Sequence, residues 1–388
     1  MDAEVLIVGA GPAGSAAAIV LAGKGRRVLL VDQRDFPRRK TCGDAITPAG
    51  VKILNELGLK EDVRRARFQR IERVRLVSPG NRILDLRIRP VDPDLAERIA
   101  PRFVLDHLLK KRAVECGASF IRARAAAPLM KSGRVQGIRI REDGRLRDLH
   151  SRVVIGADGS GSAIAAGLSP GPWHPDDAVA IRAYAHPLEA RTDTIEIHMT
   201  GDLWPGYAWI FPAGGNRANV GLGISIGRYL RMKKSLRSML ADFMHSPGVR
   251  GRFGDSLELE DAAAGALRYF YPGRIRRSFD GAVLAGDAAA LVNPWNGGGI
   301  VNALESGRIA AGVIDRALAE NDVSKRRLKE HESALSAVVL KELKASHWMK
   351  KWLYSPPVAE AAIRILRTDK QLARSAGWFY RDIAVEVL

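Results

Sequence analysis

The chain has 388 residues with 46% hydrophobic and 27% charged side chains, a balance that is typical of a folded globular protein and excludes collagen and intrinsic disorder. Its net charge of +18 favours anionic partners such as phosphorylated molecules or anionic lipid, although many arginines also simply keep a chain soluble. The two cysteines, Cys42 and Cys116, exclude a disulfide framework, and no motif predicts nucleic-acid or metal binding.

The chain begins with a βαβ unit. Residues 4–8 form an apolar run that is typical of a buried parallel strand, and residues 9–14 read Gly-Ala-Gly-Pro-Ala-Gly before an alanine-rich helix. A second buried strand, residues 27–32, ends on an aspartate. Glycines at this spacing allow a tight turn, close approach of the backbone to a pyrophosphate and close helix packing, while the acid can accept hydrogen bonds from a ribose. The residues that predict dinucleotide binding are Gly9, Gly11, Pro12, Ala13, Gly14 and Asp32.

Further along the chain, apolar alternation and helical spacing predict the remaining elements. They are a hairpin over residues 70–77 and 81–88, a helix over 103–116, a strand over 118–121, a meander over 123–149, a strand over 153–157, several strands within 178–226, a strand over 282–285, a helix over 299–319 and mostly helix after that. The alternation predicts a discontinuous nucleotide-binding α/β domain that is interrupted by an antiparallel β-sheet.

Two stretches resemble the second flavin motif of the p-hydroxybenzoate hydroxylase-like FAD superfamily: residues 282–289, Ala-Val-Leu-Ala-Gly-Asp-Ala-Ala, and residues 293–300, Asn-Pro-Trp-Asn-Gly-Gly-Gly-Ile. The resemblance implies FAD as the cofactor, with Asp287 on its ribityl chain and a helix N-terminus facing the N1/O2 side of the flavin. The positive end of the helix dipole, at this N-terminus, stabilises the negative charge of reduced flavin. Arg102, in Arg-Phe-Val-Leu-Asp, resembles the superfamily's cofactor-contacting arginine. The other implied contacts are Gly43, Ala126, Gly286, Pro294, Gly297, Gly298, Gly299 and Ile300.

The resemblance also defines a fold class and a domain division. It implies a Rossmann-like FAD-binding domain with an inserted antiparallel β-sheet substrate domain and a helical C-terminal tail. The expected segments are FAD-binding residues 1–68, 98–172 and 263–320, substrate-domain residues 69–97 and 173–262, and a helical region over 321–388.

Residues 156–162, Gly-Ala-Asp-Gly-Ser-Gly-Ser, match the superfamily's Asp-Gly motif, but the arginine that often follows it is absent, with Ala165 near that place. Asp158 is therefore either a cofactor contact or part of a structural turn. No second dinucleotide-binding unit follows in the sequence. The external reductant is expected to be NAD(P)H or a ferredoxin-like donor, and the sequence leaves the choice open.

Two further motifs resemble the geranylgeranyl reductases. Residues 40–45, Lys-Thr-Cys-Gly-Asp-Ala, resemble a segment that lies near the flavin ring in that family, and residues 207–223 fit its Y-x-W-x-F-P…G-x-G pattern. Strand alternation places Tyr207, Trp209 and Phe211 on one face, either as a wall for a prenyl chain or as ordinary aromatic packing. The resemblance suggests that Cys42 shapes the active site or relays a proton, whereas the alternative is a small buried side chain. Cys116 is most simply a core residue.

The C-terminal segment is basic. Residues 321–381 contain 13 Lys/Arg and six Asp/Glu, and residues 347–352 read His-Trp-Met-Lys-Lys-Trp. Such a helix either lies on an anionic membrane surface and admits a lipid, or packs on the FAD domain with its charged face in solvent. No leader-type segment and no apolar run of about 18 residues occur. We expect a cytoplasmic location, or a peripheral one on the inner membrane face.

The family resemblance implies an FAD-dependent oxidoreductase that saturates carbon–carbon double bonds in a polyprenyl chain, with hydride from N5 of reduced flavin and a proton from a second group. The substrate would be a prenyl-chain small molecule or lipid. Two other activities use the same fold: an FAD monooxygenase, and a halogenase whose W-x-W-x-I-P signature differs from residues 207–212 at two positions. A third alternative, a lipid carrier without flavin, disagrees with the intact glycine motifs.

Overall fold

The computed structural model describes residues 1–353, 355–368 and 383–387. Its strands, in chain order, are β1 (Ala3–Val8), β2 (Val28–Asp32), β3 (Ala45–Ile46), β4 (Gln69–Arg70), β5 (Arg73–Val77), β6 (Ile83–Pro90), β7 (Arg98–Ile99), β8 (Ser119–Arg122), β9 (Arg124–Lys131), β10 (Arg134–Glu142), β11 (Arg145–Gly156), β12 (Ala178–His186), β13 (Thr194–His198), β14 (Tyr207–Gly214), β15 (Arg217–Ser225), β16 (Glu258–Leu267), β17 (Ser278–Phe279), β18 (Ala282–Leu284) and β19 (Ile383–Val387).

The helices are α1 (Pro12–Gly23), α2 (Pro48–Glu56), α3 (Lys60–Arg65), α4 (Arg102–Glu115), α5 (Ala163–Leu168), α6 (Ile226–Tyr229), α7 (Leu236–His245), α8 (Pro247–Arg250), α9 (Ile300–Ala319), α10 (Lys325–Leu328), α11 (Glu330–Leu335), α12 (Lys341–Leu353) and α13 (Pro356–Thr368). Short 3₁₀ segments occur at Pro93–Leu95 and Gly286–Ala289, and a π-helical turn, Ser336–Leu340, precedes α12. Within the described residues, no helix is both long and apolar enough to span a bilayer.

The first sheet is the nucleotide-binding type that the N-terminal motif predicts. Five strands run parallel in the order β18-β11-β1-β2-β8, and β17 pairs antiparallel with β18 at one edge. The central strands β1 and β2 and the second half of β11 are mostly apolar because helices α1, α4 and α9 cover one face and the β9–β10 meander packs on the other. The mixed α/β fold of the predicted class is confirmed.

The last strand of the predicted meander and the strand predicted over residues 153–157 form one long strand, β11. Strand β11 pairs antiparallel with β10 and then parallel with β1. The first half of β11 is largely exposed and its second half is buried. This change of burial along a single strand produces two separate patterns in the sequence.

The second sheet has eight strands in the order β16-β12-β15-β14-β13-β5-β6-β19 and is antiparallel except between β13 and β5. Helix α7 covers part of one face through Leu240 and Phe243. The predicted hairpin forms as β5 and β6. Strand β16 was not predicted, and the expected domain boundary between residues 262 and 263 falls inside it. Strand β19, in the region expected to be helical, was not predicted either and pairs with β6.

The two sheets position the site. The parallel strands β1, β2, β11 and β18 end at the same edge of the first sheet, where the predicted cofactor motifs follow them in sequence. In open α/β sheets, ligands bind outside the carboxyl ends of the strands. Strands β12, β14, β15 and β16 of the second sheet contribute residues to the lining of the same space.

Candidate active site

A cavity of about 720 Å³ lies between the carboxyl ends of the parallel strands and the second sheet. Its lining includes Cys42, the three aromatic residues predicted on one strand face, and most predicted cofactor contacts. Gly14 and Gly298 are the two predicted contacts outside the lining. The cavity therefore joins the nucleotide-binding motifs and the aromatic strand face in one continuous space.

The loop from β1 to α1 is shaped by contacts that leave no room for side chains. Gly9 has φ +98°, and a Cβ there would lie 2.3 Å from the carbonyl oxygen of Ala157. A Cβ on Gly14 would lie 1.8 Å from the carbonyl oxygen of Gly9, so this glycine shapes the turn itself. Asp32 fixes the loop because its Oδ2 accepts a hydrogen bond from the amide of Ala10 at 2.9 Å. The unpaired amides of the first turn of α1 suit the pyrophosphate of FAD.

The segment after β18 supplies the second half of the cofactor site. The amide of Gly286 donates to Ser306 Oγ at 2.9 Å, and Ser160 Oγ donates to Asp287 Oδ2 at 3.3 Å. Helix α9 then begins at Ile300, and the residues of its first turn, Ile300 and Ala303, line the cavity together with Asp287. A carboxylate beside the amides of a helix N-terminus suits the ribityl chain and the anionic side of a flavin.

Asp158 serves mainly as a helix cap. Its Oδ2 accepts from the amide of Ala163 at 2.8 Å and its Oδ1 accepts from Ser162 Oγ at the start of α5. Burial raises the pKa of the Asp158 carboxyl against the effect of these donors. Asp158 also lines the cavity. The contacts support the structural-turn interpretation, while the position still allows contact with the cofactor.

Arg102 is held at the start of α4 by a buried ion pair. Its Nε and Nη2 donate to the two carboxylate oxygens of Asp106 at 2.6 and 2.7 Å, and Asp106 has no exposed surface. Arg38 Nη1 lies 3.0 Å from the same carboxylate. Two guanidinium groups therefore share one buried carboxylate, and Arg38 Nε also lies 3.9 Å from Asp32 Oδ2. Both arginines line the cavity.

Cys42 is surrounded by a polar network that the sequence did not predict. Asp44, next but one in the chain, has φ +65° and is almost fully buried. Its Oδ2 accepts from Tyr184 Oη at 2.6 Å and from Asn219 Nδ2 at 2.7 Å, and its amide donates to Cys42 Sγ at 3.3 Å. Burial raises the pKa of the Asp44 carboxyl and that of the Cys42 thiol.

The signal for Asp44 was present in the motif over residues 40–45, but only its cysteine and glycine were selected. Tyr184 and Asn219 had no local signal, since they lie 140 and 175 residues from Asp44 in the chain. A non-glycine residue with positive φ and a buried, fully partnered carboxyl indicates a position that the surrounding structure determines.

The aromatic face of β14 forms one wall of the cavity. Ring centroids of Tyr207 and Trp209 are 6.0 Å apart, and those of Trp209 and Phe211 are 6.1 Å apart. Trp209 Nε1 donates to Asn219 Oδ1 at 2.9 Å, which ties the wall to the network around Cys42. A Cβ on Gly43 would lie 3.0 Å from the Phe211 ring. The cysteine segment, residues 40–45, therefore packs directly against the wall, and both line the same cavity.

Helix α12 packs onto the flavin motif. Asn293 Nδ2 donates to Ser346 Oγ at 3.0 Å, and Lys350 from the next turn lines the cavity. Trp348 is half exposed on this helix. The side chain of Trp352, and residues 369–381 of the predicted basic tail, lie outside the described residues. The contacts support packing on the FAD domain, and they leave the outer face of α12 open to solvent.

The comparisons with known proteins agree with this arrangement. A model described as an FAD binding domain matches residues 2–180, and one described as a geranylgeranyl reductase catalytic domain matches residues 176–262. A digeranylgeranylglycerophospholipid reductase of Methanoculleus marisnigri is 33% identical over 344 residues, covering 85% of this chain and 81% of the relative. A menaquinone reductase of Mycobacterium tuberculosis is 33% identical over 323 residues, covering 81% of this chain and 77% of the relative.

Solved structures show the same fold. A geranylgeranyl bacteriochlorophyll reductase-like protein of Thermoplasma acidophilum has a TM-score of 0.82 at 26% identity and covers 94% of this chain and 91% of its own. A flavin-dependent brominase has a TM-score of 0.73 at 22% identity, covering 94% of each chain. At that identity, the brominase shares the fold and gives no information on the reaction.

Proposed function

Because the chain belongs to the geranylgeranyl reductase family of FAD-dependent oxidoreductases, we propose that it saturates carbon–carbon double bonds in a polyprenyl chain. The observation that carries the proposal is the position of the aromatic wall, which lines the same cavity as the cofactor motifs. Relatives are named for a prenylated phospholipid and for menaquinone, and both names describe molecules with a prenyl chain. A prenyl substrate is therefore the common feature.

The wall of Tyr207, Trp209 and Phe211 would hold the apolar chain and exclude water. An isolated alkene is weakly electrophilic, so it must be held close to the reductant in a dry site for the reaction to proceed. When bound, reduced FAD supplies the hydride. Flat aromatic rings suit a chain that slides along them, because they provide a large contact area without directional bonds.

Cys42 is our candidate for the proton donor. It lines the same cavity as the wall, and burial raises the pKa of its thiol, so the sulfur carries a proton at neutral pH. Transfer of that proton breaks the S–H bond and forms a C–H bond at the alkene carbon that does not receive hydride. The Arg102 guanidinium lies near the sulfur and would stabilise the thiolate that remains.

The external reductant is proposed to be NAD(P)H or a ferredoxin-like donor. We also propose that the protein is cytoplasmic and associates peripherally with the inner membrane face, through the exposed side of α12. Trp348, which is 51% exposed there, and Lys351 beside it suit an anionic lipid surface. Co-sedimentation with anionic but not with neutral liposomes at low salt is the expected result, and failure to co-sediment with anionic liposomes would rule the membrane contact out.

A single turnover without oxygen tests the reaction. The flavoprotein is reduced with dithionite, mixed with geranylgeranyl diphosphate or a geranylgeranylated lipid, and followed by flavin absorbance and product mass. We expect flavin reoxidation and a product heavier by hydrogen alone. A reduced enzyme that is inert until air is admitted, and then oxygenates an aromatic compound, would identify a monooxygenase instead.

Cysteine variants provide a matched control. Cys42→Ala should slow product formation in the same single turnover, because the proposed proton donor is gone. Cys116→Ala removes the other thiol, which packs against the core of the FAD-binding sheet, and should leave the rate unchanged. Equal rates for Cys42→Ala and the unmodified protein would remove Cys42 from the mechanism without affecting the assignment of the reaction.

A further inference from the structure

A buried asparagine connects the aromatic wall to the cysteine segment. Asn219 lies in the middle of β15 with no exposed surface, and it is not part of the cavity lining. In the sheet it pairs with Tyr184 of β12 on one side and with Phe211 of β14 on the other. Directly opposite residues of an antiparallel sheet share a face, so the Asn219 side chain lies on the same face as the wall.

The side-chain amide of Asn219 has one orientation that satisfies its neighbours. Its Oδ1 accepts from Trp209 Nε1 at 2.9 Å, and an indole nitrogen only donates. Its Nδ2 donates to the carbonyl oxygen of Cys42 at 2.8 Å and to Asp44 Oδ2 at 2.7 Å, which also accepts from Tyr184 Oη. Turning the amide over would bring donor to donor and acceptor to acceptor at these contacts, so the network fixes its orientation.

Both ends of this connection line the cavity. Trp209 is the central ring of the wall, and Cys42 is the proposed proton donor. The indole lies over Gly221, its partner in the strand pairing, where a Cβ would lie 2.3 Å from Trp209 Cζ2. The glycine therefore leaves the space that the ring occupies, and the amide of Asn219 joins that ring to the backbone of the cysteine segment.

We infer that Asn219 is a positioning residue for the reaction. It fixes Trp209 and Cys42 relative to each other, so that a double bond held on the wall meets the thiol from one direction. The inference rests on the proposed prenyl-reductase function and on Cys42 as the proton donor. A buried polar network with all its partners satisfied specifies one arrangement of its side chains. Hydride and proton must reach adjacent carbons, and a misplacement of about 1 Å slows such a step about 100-fold.

Two substitutions at Asn219 separate positioning from packing. Asn219→Leu nearly keeps the size of the side chain and removes its three hydrogen bonds, so the single-turnover rate should fall about 10–100-fold at every pH. Asn219→Asp places a second buried carboxyl group beside Asp44, and such a pair shares one proton. While that proton is present, the new side chain accepts from Trp209 and donates to Asp44. Relative to the unmodified protein, its rate should be close to normal at about pH 5 and fall about tenfold by about pH 8.

Product stereochemistry distinguishes a misplaced thiol from a less stable protein. In D2O both transferred hydrogens are deuterium, and NMR of the product gives the relative configuration of the two labelled carbons. The unmodified protein should give one relative configuration, and Asn219→Leu should give a mixture. Tyr184→Phe is the matched control, because it removes another donor to Asp44 Oδ2 and leaves the connection between Trp209 and Cys42 intact. It should give the single configuration of the unmodified protein.

Alkylation of Cys42 tests the connection without any turnover. Trp209→Phe keeps a ring in the wall and removes the indole N–H. In the FAD-loaded protein, Trp209→Phe and Asn219→Leu should each accelerate the reaction of Cys42 with iodoacetamide about threefold or more, and the double variant should react no faster than Asn219→Leu. Peptide mass spectrometry gives the rates, with Cys116 as the internal reference.

Two results would overturn the inference. One is a double variant whose acceleration equals the product of the two single accelerations, because Trp209 and Cys42 would then respond independently. The other is an Asn219→Leu variant that reduces its substrate at the normal rate with a single configuration, which would remove the positioning role and leave the proposed function intact. If the unmodified protein reduces no prenyl substrate, the proposed function fails, and the alkylation rates still decide whether Asn219 couples the wall to the thiol.

Discussion

Replacing Gly307 with alanine tests how closely helices α1 and α9 must pack beside the cofactor motifs. Gly307 lies on the buried face of α9, and a Cβ there would lie 2.1 Å from the carbonyl oxygen of Ala13 in α1. Ordinary van der Waals contact begins at 3.4 Å, so α1 and α9 would have to move apart by about 1 Å. Ala13 itself lines the cavity, so the movement reaches the cofactor site.

The expected loss of stability follows from two opposing effects. Overpacking against a fixed backbone costs about 1–3 kcal/mol, and alanine gains about 0.5–1 kcal/mol over glycine inside a helix. Because the obstructing atom belongs to the backbone, we expect a net loss of about 1–2 kcal/mol. Gly312 is the matched control on the same helix, since the nearest atom to its Cβ is Arg316 Nη1 at 3.8 Å. Gly312→Ala should gain about 0.5–1 kcal/mol.

The assay combines urea unfolding of both variants with FAD titration of their apoproteins. Gly307→Ala should unfold at lower urea and bind FAD more weakly than the unmodified chain, whereas Gly312→Ala should unfold at slightly higher urea and bind FAD normally. The reasoning is refuted if Gly307→Ala is as stable as Gly312→Ala and binds FAD equally well, because the helices would then tolerate the extra methyl group.

Two further predictions concern buried carboxyl groups. Asp44→Asn should make Cys42 react about tenfold faster with iodoacetamide at neutral pH, because the negative charge that disfavours a thiolate is removed. Peptide mass spectrometry reads the rate, with Cys116 as internal reference, and an unchanged rate would contradict the assigned coupling. Burial raises the pKa of Glu97 from 4.5 to about 7, so the folded state retains a proton that the unfolded chain releases. Stability should therefore fall by about 3 kcal/mol as the pH rises across this window. Glu97→Gln should abolish that fall in urea unfolding, and an identical pH dependence in both proteins would show that Glu97 ionises freely.

Much of the fold could be predicted because its signals are local. The βαβ unit, the β5–β6 hairpin and helix α9 each depend on apolar spacing and turn residues within a short stretch, and all three form where expected. Strand β16 was missed for the opposite reason. Most of β16 is exposed or half-buried and carries no apolar alternation, so only its pairing with β12 makes it a strand.

The candidate site shows the same division. The sequence predicted the cofactor contacts because glycine-rich loops at strand ends are a recognisable local motif for binding phosphates. Nearly all of these residues line one cavity. It could not indicate which polar groups would surround Cys42. Asp44 was in the motif, but its hydrogen-bond partners come from two strands of the second sheet.

By itself, the sequence determined the family, the cofactor and the aromatic strand face, because short motifs constrain backbone geometry and chemistry over a few residues. Only the tertiary structure decided that Tyr184 and Asn219 hold Asp44, and that Lys350, in a tail interpreted as membrane-binding or packed on the FAD domain, lines the active-site cavity. Contacts between segments more than 100 residues apart depend on how whole sheets and helices pack, and no local pattern encodes that arrangement.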